Sequence, residues 1–160
     1  MSSRSSAVVL ALAAAVLGPV SSAADPTSPA VEQRRQSPAD ASADSEYNRG
    51  VRARVVQDWP AAAEAFRRAI GFRADFPEAW SELGHALRQQ GRYAESLDAY
   101  GEALRLRPAF PEALEYLGEA YVKMGRLDDA RRVLDRLRPV DAERAKELAE
   151  EIAKAPATPR

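Results

Sequence analysis

The apolar residues in the middle of the chain recur at helical spacing. Trp80, Leu83 and Leu87 occupy positions i, i+3 and i+7, which lie on one face of an α-helix. A second stripe with the same character follows, formed by Tyr93, Leu97, Tyr100 and Leu104. No stretch shows the alternation of period two that a half-buried strand requires, so the pattern predicts an all-α protein.

Glycine, proline and aspartate mark where these helices begin and end. Gly91 and Gly125 each interrupt the pattern between two predicted helices. Pro77 and Pro111 suit the first turn of a helix, where the missing N–H has no partner to lose. Asp58 precedes Trp59-Pro60 and is a credible N-cap. These helix-starting and helix-ending residues therefore predict a series of helical hairpins.

The pattern repeats at a fixed interval of 34 residues. Residues 75–84 correspond to residues 109–118, including a shared Phe-Pro-Glu-Ala and a shared Leu-Gly. Three further sets keep the same interval: Gly50, Gly84 and Gly118; Phe66, Tyr100 and Leu134; Ala69, Ala103 and Leu137. A constant period of this length indicates stacked supersecondary units.

On these residues the sequence resembles the tetratricopeptide-repeat (TPR) family, whose helix–turn–helix unit is 34 residues long. The middle repeat carries Trp80, Leu83, Gly84, Ser96, Tyr100 and Pro108 at the family's spacing. The third repeat carries Leu114, Leu117, Gly118, Tyr121, Ala130 and Leu134, with Ala142 in place of the closing proline. The first repeat keeps Gly50, Ala62, Phe66 and Ala69, but Glu46 and Arg49 occupy positions that are usually apolar.

The resemblance implies a right-handed solenoid of helical hairpins over about residues 43–144, with repeats at 43–76, 77–110 and 111–144. One more helix is predicted from Asp141 to Ala153, because Leu148 and Ile152 form a narrow apolar stripe among charged residues. Such a helix suits a cap on the last repeat, and we place it at about 141–154; a frayed charged tail is the alternative. The domain then covers 43–155, and residues 156–160 are expected to be loose.

The first 24 residues have a different composition. A polar start with Arg4 is followed by an uninterrupted apolar run over 7–17 and then by small residues, the order of a secretory signal peptide. Cleavage is predicted after Ala23 or Ala24, and the run is too short to span a bilayer. An uncleaved anchor or a disordered tail is the alternative. Residues 25–42, rich in Pro, Ser and Ala, are predicted to be a disordered linker.

Composition narrows the function. The net charge of −1 offers no general attraction for nucleic acid, and the absence of cysteine excludes disulfides and thiolate metal sites. His85 is the only histidine, which leaves little for a histidine base or a histidine metal site. A pair such as Glu78 and Glu82 is more typical of a solvated helix face than of acid–base catalysis. We therefore predict no enzyme, no cofactor and no metal.

The resemblance also implies that the first helix of each repeat lines a concave surface. The residues predicted there are Tyr47, Val51, Arg54, Glu78, Ser81, Glu82, His85, Arg88, Glu112, Glu115, Tyr116, Glu119 and Lys123. Some family members hold a peptide's terminal carboxylates with a clamp of Lys, Arg and Asn. The matching positions here are Tyr47, Val51, Glu82, Glu112 and Tyr116, none of which is basic or Asn. An anionic peptide terminus is therefore not the expected ligand.

The groove is instead expected to be acidic toward the third repeat, through Glu115 and Glu119, with apolar surface from Tyr47, Val51 and Tyr116. Such a surface suits a partner segment with basic and apolar or aromatic residues. The alternative is that the glutamates only keep an exposed helix face soluble.

The predicted function is a protein-interaction adaptor that binds a protein or peptide in an exported compartment, periplasmic or extracellular. Two alternatives remain open. One is a structural subunit that self-associates or docks permanently through a solenoid end or its convex face. The other is a membrane-tethered accessory factor that retains its signal segment.

Overall fold

The computed structural model describes residues 38–156, which form seven α-helices and no strand. The helices are α1 (Pro38–Val55), α2 (Trp59–Phe72), α3 (Pro77–Gln89), α4 (Tyr93–Leu106), α5 (Pro111–Lys123), α6 (Leu127–Leu137) and α7 (Ala142–Lys154). The predicted signal segment, the linker up to residue 37 and residues 157–160 lie outside the described residues. Within residues 38–156, no helix combines the length and apolar character needed to cross a membrane.

Consecutive helices pair as hairpins, and the hairpins stack. α1 packs on α2, α3 on α4, and α5 on α6. α2 also packs on α3, and α4 on α5, which joins one hairpin to the next. α7 closes the array by packing on both α5 and α6. The predicted all-α solenoid of three helical hairpins and a capping helix is confirmed.

The turn inside each hairpin needs one residue with a positive φ. Gly91 (φ 74°) and Gly125 (φ 70°) provide it in the second and third hairpins. The same register position in the first hairpin is Gln57, with a φ of 58°. A left-handed conformation costs a non-glycine residue about 1–2 kcal/mol. The adjacent cap offsets part of this cost, because the Asp58 carboxylate accepts a hydrogen bond from the Ala61 N–H at 3.1 Å.

Each hairpin is packed through a glycine notch in its first helix. A Cβ added at Gly50 would lie 2.5 Å from Phe66, and one added at Gly84 would lie 2.6 Å from Tyr100. Both rings are fully buried. At Gly118 the notch is filled by Leu148 of α7 instead of a side chain of its own hairpin. The capping helix therefore completes the packing that an aromatic residue provides in the first two repeats.

The links between repeats are held by a recurring arginine. Arg73 stacks on the ring of Phe76 at 3.8 Å and donates to Asp44 at 2.7 Å. The same arrangement recurs 34 positions later in Arg107, Phe110 and Glu78. Each arginine thus ties the start of one repeat to the first helix of the preceding repeat, through a cation–π contact and an ion pair.

The N-terminal boundary of the folded part differs from the prediction. α1 begins at Pro38, so residues 38–42 are helical and do not belong to a disordered linker. Ala43 is fully buried in a small cluster with residues of α2 and α3, which holds this end of α1 in place. Glu46, at a usually apolar position, forms an ion pair with Arg68 at 2.8 Å. The sequence signal was weak here because an alanine and ion pairs replace an apolar stripe.

Candidate functional site

The first helices of the three hairpins, α1, α3 and α5, together line one surface, which we call the inner face. A cleft of about 220 Å³ opens on it. Its walls are formed by Tyr47 from α1, Glu78, Ser81 and Glu82 from α3, Glu112 and Tyr116 from α5, and Phe110 before α5. We call this the central cleft. Six of the thirteen predicted groove residues meet in it, including four of the five positions that match the carboxylate clamp.

Three carboxylates line the central cleft, and each has an arginine neighbour. Glu78 forms an ion pair with Arg107, and Glu112 accepts a hydrogen bond from Arg144 at 3.2 Å. Both glutamates remain partly exposed.

Glu82 is the most buried of the three carboxylates. Its Oε2 lies 3.3 Å from the Nε of Arg54, yet both atoms are buried without a hydrogen bond. The Glu82 carboxylate is therefore close to a positive charge but not satisfied by it.

Two tyrosines on either side of α3 provide aromatic walls. Tyr47 packs against Phe66 and Phe76, with ring centroids 5.6 and 4.9 Å away, which fixes its ring. Burial, and after it the charges of Glu82 and Glu78, raises the pKa of Tyr47 to about 12. Burial followed by the charge of Glu82 also raises the pKa of Tyr116. Both hydroxyls thus lie in a negative potential that Arg54 only partly cancels.

Beside the central cleft, polar side chains support the inner face. His85 lies between the rings of Trp59 and Tyr116, with centroids 5.6 and 4.8 Å away. Burial, followed by the charges of Arg88 and Arg54, lowers the pKa of His85 to about 4, so its ring is neutral at pH 7. The Arg88 side chain is only 10% exposed and forms an ion pair with Glu119 at 2.7 Å. His85 and Arg88 therefore position Tyr116 and Glu119 and offer little surface to a ligand.

Two residues predicted to make the groove acidic are not free to do so. Glu115 is 7% exposed, because α7 covers it and Arg144 of that helix forms an ion pair with it. Glu119 is paired with Arg88. The charges of both residues are therefore covered or compensated by residues distant in sequence. Val51 packs against the core around Phe66, and Lys123 is exposed near the end of α7.

The inner face nevertheless stays acidic beyond α5, through glutamates of the capping helix. A second cleft of about 280 Å³ lies between α5 and α7. Its walls are formed by Glu115, Glu119, Glu147, Leu148, Glu150, Glu151 and Lys154. No group of His, Asp or Glu within residues 38–156 is arranged to hold a metal ion.

Sequence reasoning missed several residues of this surface. The sequence assigned Phe110 to the repeated segment but not to the groove. It assigned Arg144 to the charged surface of the capping helix but not to an ion pair with α5. The recurrence of Arg-x-x-Phe-Pro at residues 73–77 and 107–111 could have located Phe110. No sequence signal could have paired Arg144 with Glu115, because that contact depends on how α7 lies across α5.

Comparison with known proteins agrees with the geometry. Residues 47–101 match the family model for the tetratricopeptide repeat, and residues 84–125 match a second TPR repeat model. The chain belongs to the tetratricopeptide-repeat family. No curated protein sequence matches this TPR chain.

Solved TPR domains have the same fold. The TPR2B domain of yeast Sti1 in its pHsp70 complex is 23% identical, with a TM-score of 0.68 over 72% of this chain and 96% of that one. The first TPR domain of Spaghetti (RPAP3), bound to the HSP90 peptide SRMEEVD, is 15% identical, with a TM-score of 0.69 over 74% and 96%. MamA is 26% identical, with a TM-score of 0.55 over 71% of this chain and 61% of MamA.

Proposed function

We propose that this TPR protein is a non-enzymatic adaptor that binds an extended segment of a partner protein on its inner face. The observation that carries the proposal is the central cleft, where three helices converge on two tyrosines, a phenylalanine and three carboxylates. Aromatic side chains in a cleft give a ligand large apolar contact at little entropic cost, which is typical of interaction surfaces.

The chemistry of the cleft indicates which segment it accepts. The structural neighbours from yeast Sti1 and RPAP3 bind peptides of Hsp70 and HSP90, and the RPAP3 ligand ends in Glu-Glu-Val-Asp. In this chain, two of the corresponding clamp positions are Glu82 and Glu112, and two others are tyrosines. Carboxylates facing an acidic peptide would repel it. The favoured ligand is therefore a segment with basic and aromatic or apolar residues.

The glutamates of α7 extend this preference along the inner face. Glu147, Glu150 and Glu151 line the second cleft, so an extended segment that leaves the central cleft toward α7 meets further negative charge. Electrostatic complementarity of this kind speeds association and selects against acidic competitors.

The compartment is also part of the proposal. The order of Arg4, the apolar run over 7–17 and the small residues up to Ala24 supports export, with binding after cleavage of the signal segment.

One experiment tests both parts. The full chain is expressed in an exporting host, its intact mass is measured, and the purified protein is used to select peptides from a displayed library. We expect a mature chain that starts after Ala23 or Ala24, and selected peptides enriched in basic and aromatic residues. A mass that includes residue 1 would refute export with cleavage.

Two charge-reversal variants locate the binding surface. Glu78→Lys with Glu112→Lys changes the central cleft, whereas Glu95→Lys with Glu102→Lys makes the same charge change on α4. We expect the first pair to weaken the selected peptides at least tenfold and to flatten the salt dependence of their affinity, and the second pair to leave both unchanged. Equal affinity for both variants would overturn the inner-face proposal. A molecular mass that rises with protein concentration, with no peptide selected, would favour the structural-subunit alternative.

A further inference from the structure

The arrangement of the central cleft indicates which kind of side chain it binds, an inference that rests on the proposed function. Tyr47 belongs to α1, Glu82 to α3 and Tyr116 to α5, so the carboxylate stands on the helix between the two rings. The remaining walls are formed by Glu78, Ser81, Phe110 and Glu112. The cavity of about 220 Å³ has room for one side chain.

One oxygen of Glu82 has an ion-pair partner but no hydrogen bond. The Arg54 Nε lies 3.3 Å from Glu82 Oε2, but the two are not aligned for a hydrogen bond, and each atom is buried without one. A charged acceptor that is buried without a hydrogen bond destabilises the folded protein. Neither Glu78 nor Glu112 shows this deficit, because Arg107 and Arg144 donate to them. The Glu82 carboxylate therefore retains the capacity to accept a further hydrogen bond.

The surroundings favour a donor that carries positive charge. Aromatic faces attract cations, and the attraction increases when water is excluded. Burial, and after it the charges of Glu82 and Glu78, raises the pKa of Tyr47, and Arg54 acts in the opposite direction. Within residues 38–156 no group of His, Asp or Glu is arranged to hold a metal ion, so we consider an organic cation.

We propose that the central cleft is a receptor for one arginine or lysine side chain of the partner segment, held between Tyr47 and Tyr116 with its charge on Glu82. The same positions that grip a terminal carboxylate in clamp-type relatives would here grip a cation. Glu78 and Glu112 at the rim would attract the approaching side chain, and Glu82 would receive its hydrogen bond.

The test uses small probes, so that it does not depend on knowing the partner. The ¹⁵N-labelled full chain is titrated with N-acetyl-arginine methylamide and N-acetyl-lysine methylamide, while the amide signals are followed by NMR. The matched uncharged probes are N-acetyl-citrulline methylamide and N-acetyl-norleucine methylamide. We expect saturable shifts for the cationic probes, centred on Ser81, Glu82 and Tyr116, and at least tenfold weaker binding for the uncharged probes. The stronger of the two cationic probes identifies the side chain.

Variants assign the effect to the proposed residues. Glu82→Gln keeps the shape of the side chain and removes its charge, and should weaken the cationic probes at least tenfold. Tyr116→Leu should weaken them severalfold without changing the preference for a cation. Glu102→Gln on α4 is the matched control and should change nothing. Unaltered amide spectra away from the cleft show that each variant is folded.

The outcomes separate this inference from the function on which it rests. Equal binding of arginine and citrulline probes, or unchanged binding to Glu82→Gln, would overturn the inference, even if selected peptides bind the inner face. Cationic probes that bind in the cleft while no library peptide is selected would refute the adaptor function and leave the receptor intact. Shifts spread over α7 instead of the cleft would indicate general attraction to acidic surface and would also overturn the inference.

Discussion

At the scale of single residues, Arg144 of α7 compensates the negative charge of α5 where the two helices meet. Its guanidinium forms ion pairs with Glu115, with Glu112 at 3.2 Å and with Asp141, the N-cap of α7, at 3.3 Å. The Glu115 side chain is only 9% exposed, and Arg144 is the cation paired with it. Burial raises the pKa of Glu115 above its usual value, although Arg144 acts to lower it.

Removing that partner should destabilise the protein in a pH-dependent manner. Arg144→Met is expected to lower the free energy of unfolding by about 1–3 kcal/mol at pH 7, because it leaves a buried carboxylate without a donor. A carboxyl group whose folded pKa is raised destabilises the protein above that pKa, and the penalty disappears when the group is protonated. The loss should therefore shrink as the pH falls from 7 toward 4.

Urea denaturation at several pH values measures this difference. Arg105→Met is the control, since Arg105 is 64% exposed and forms an ion pair with Glu102 on the surface of α4. It should change stability by less than about 1 kcal/mol at every pH. A loss for Arg144→Met that stays constant between pH 7 and pH 4 would contradict the proposed role of Glu115.

At the scale of elements, α7 replaces the aromatic side chain that the third hairpin lacks. Leu134 stands in register with Phe66 and Tyr100, yet Leu148 of α7 occupies the Gly118 notch. Leu148 is 1% exposed, and Ala145 and Ile152 of the same helix are also buried. The cap is thus an integral part of the core, and its charged face remains in solvent.

The contact between Gly118 and Leu148 predicts a compensation between two variants. Gly118→Ala should lower the free energy of unfolding by about 1–3 kcal/mol, because the new methyl group overlaps Leu148. Leu148→Ala should lower it by about 2–5 kcal/mol through loss of packing. The double variant should lose at least about 1 kcal/mol less than the sum, since the shorter side chain leaves room for the methyl group.

Chemical denaturation of the single and double variants gives the coupling. Gly101→Ala is the control for helix propensity, because a Cβ at this position would meet no side chain or neighbouring helix within 4 Å. That change should increase stability by about 0.5–1 kcal/mol. Losses of Gly118→Ala and Leu148→Ala that simply add would show that the two residues do not share one packing site.

At the scale of the whole molecule, buried apolar contacts are distributed unevenly along the described helices. The largest buried cluster extends from Tyr100 to Ile152 and includes residues of α4, α5, α6 and α7. α1 buries only Ala43 and Gly50, and ion pairs from Arg68 and Arg73 hold it to α2 and the turn that follows. An element with few buried apolar contacts opens locally at lower free energy than the core.

Hydrogen exchange should reveal this gradient. We expect the amides of α1 to exchange faster than those of α5, and 1 M NaCl to accelerate α1 further by screening its ion pairs. A peptide bound in the central cleft should slow exchange in α1, because Tyr47 belongs to that helix. Equal protection of α1 and α5 at low salt, measured by mass spectrometry, would contradict the uneven distribution of stability.

The sequence by itself determined the helices, their turns and their stacking order. The 34-residue period, the glycines at the packing notches and the prolines at helix starts predict stacked helical hairpins. They can do so because they act through local backbone geometry and packing between neighbouring repeats. The sequence did not predict where α1 begins. This end of the helix has no apolar stripe, and Ala43 and Glu46 are fixed by contacts with other helices.

Only the tertiary structure decided which charged residues a ligand can reach. Four glutamates of α3 and α5 look alike in sequence but differ in the structure. Glu78 and Glu82 line the central cleft. Glu115 is covered by α7, and Glu119 is paired with Arg88. Their arginine partners lie outside the helices of the glutamates, 28 to 31 positions away in all four cases. Burial and pairing of a side chain depend on the arrangement of neighbouring helices, which no local pattern encodes.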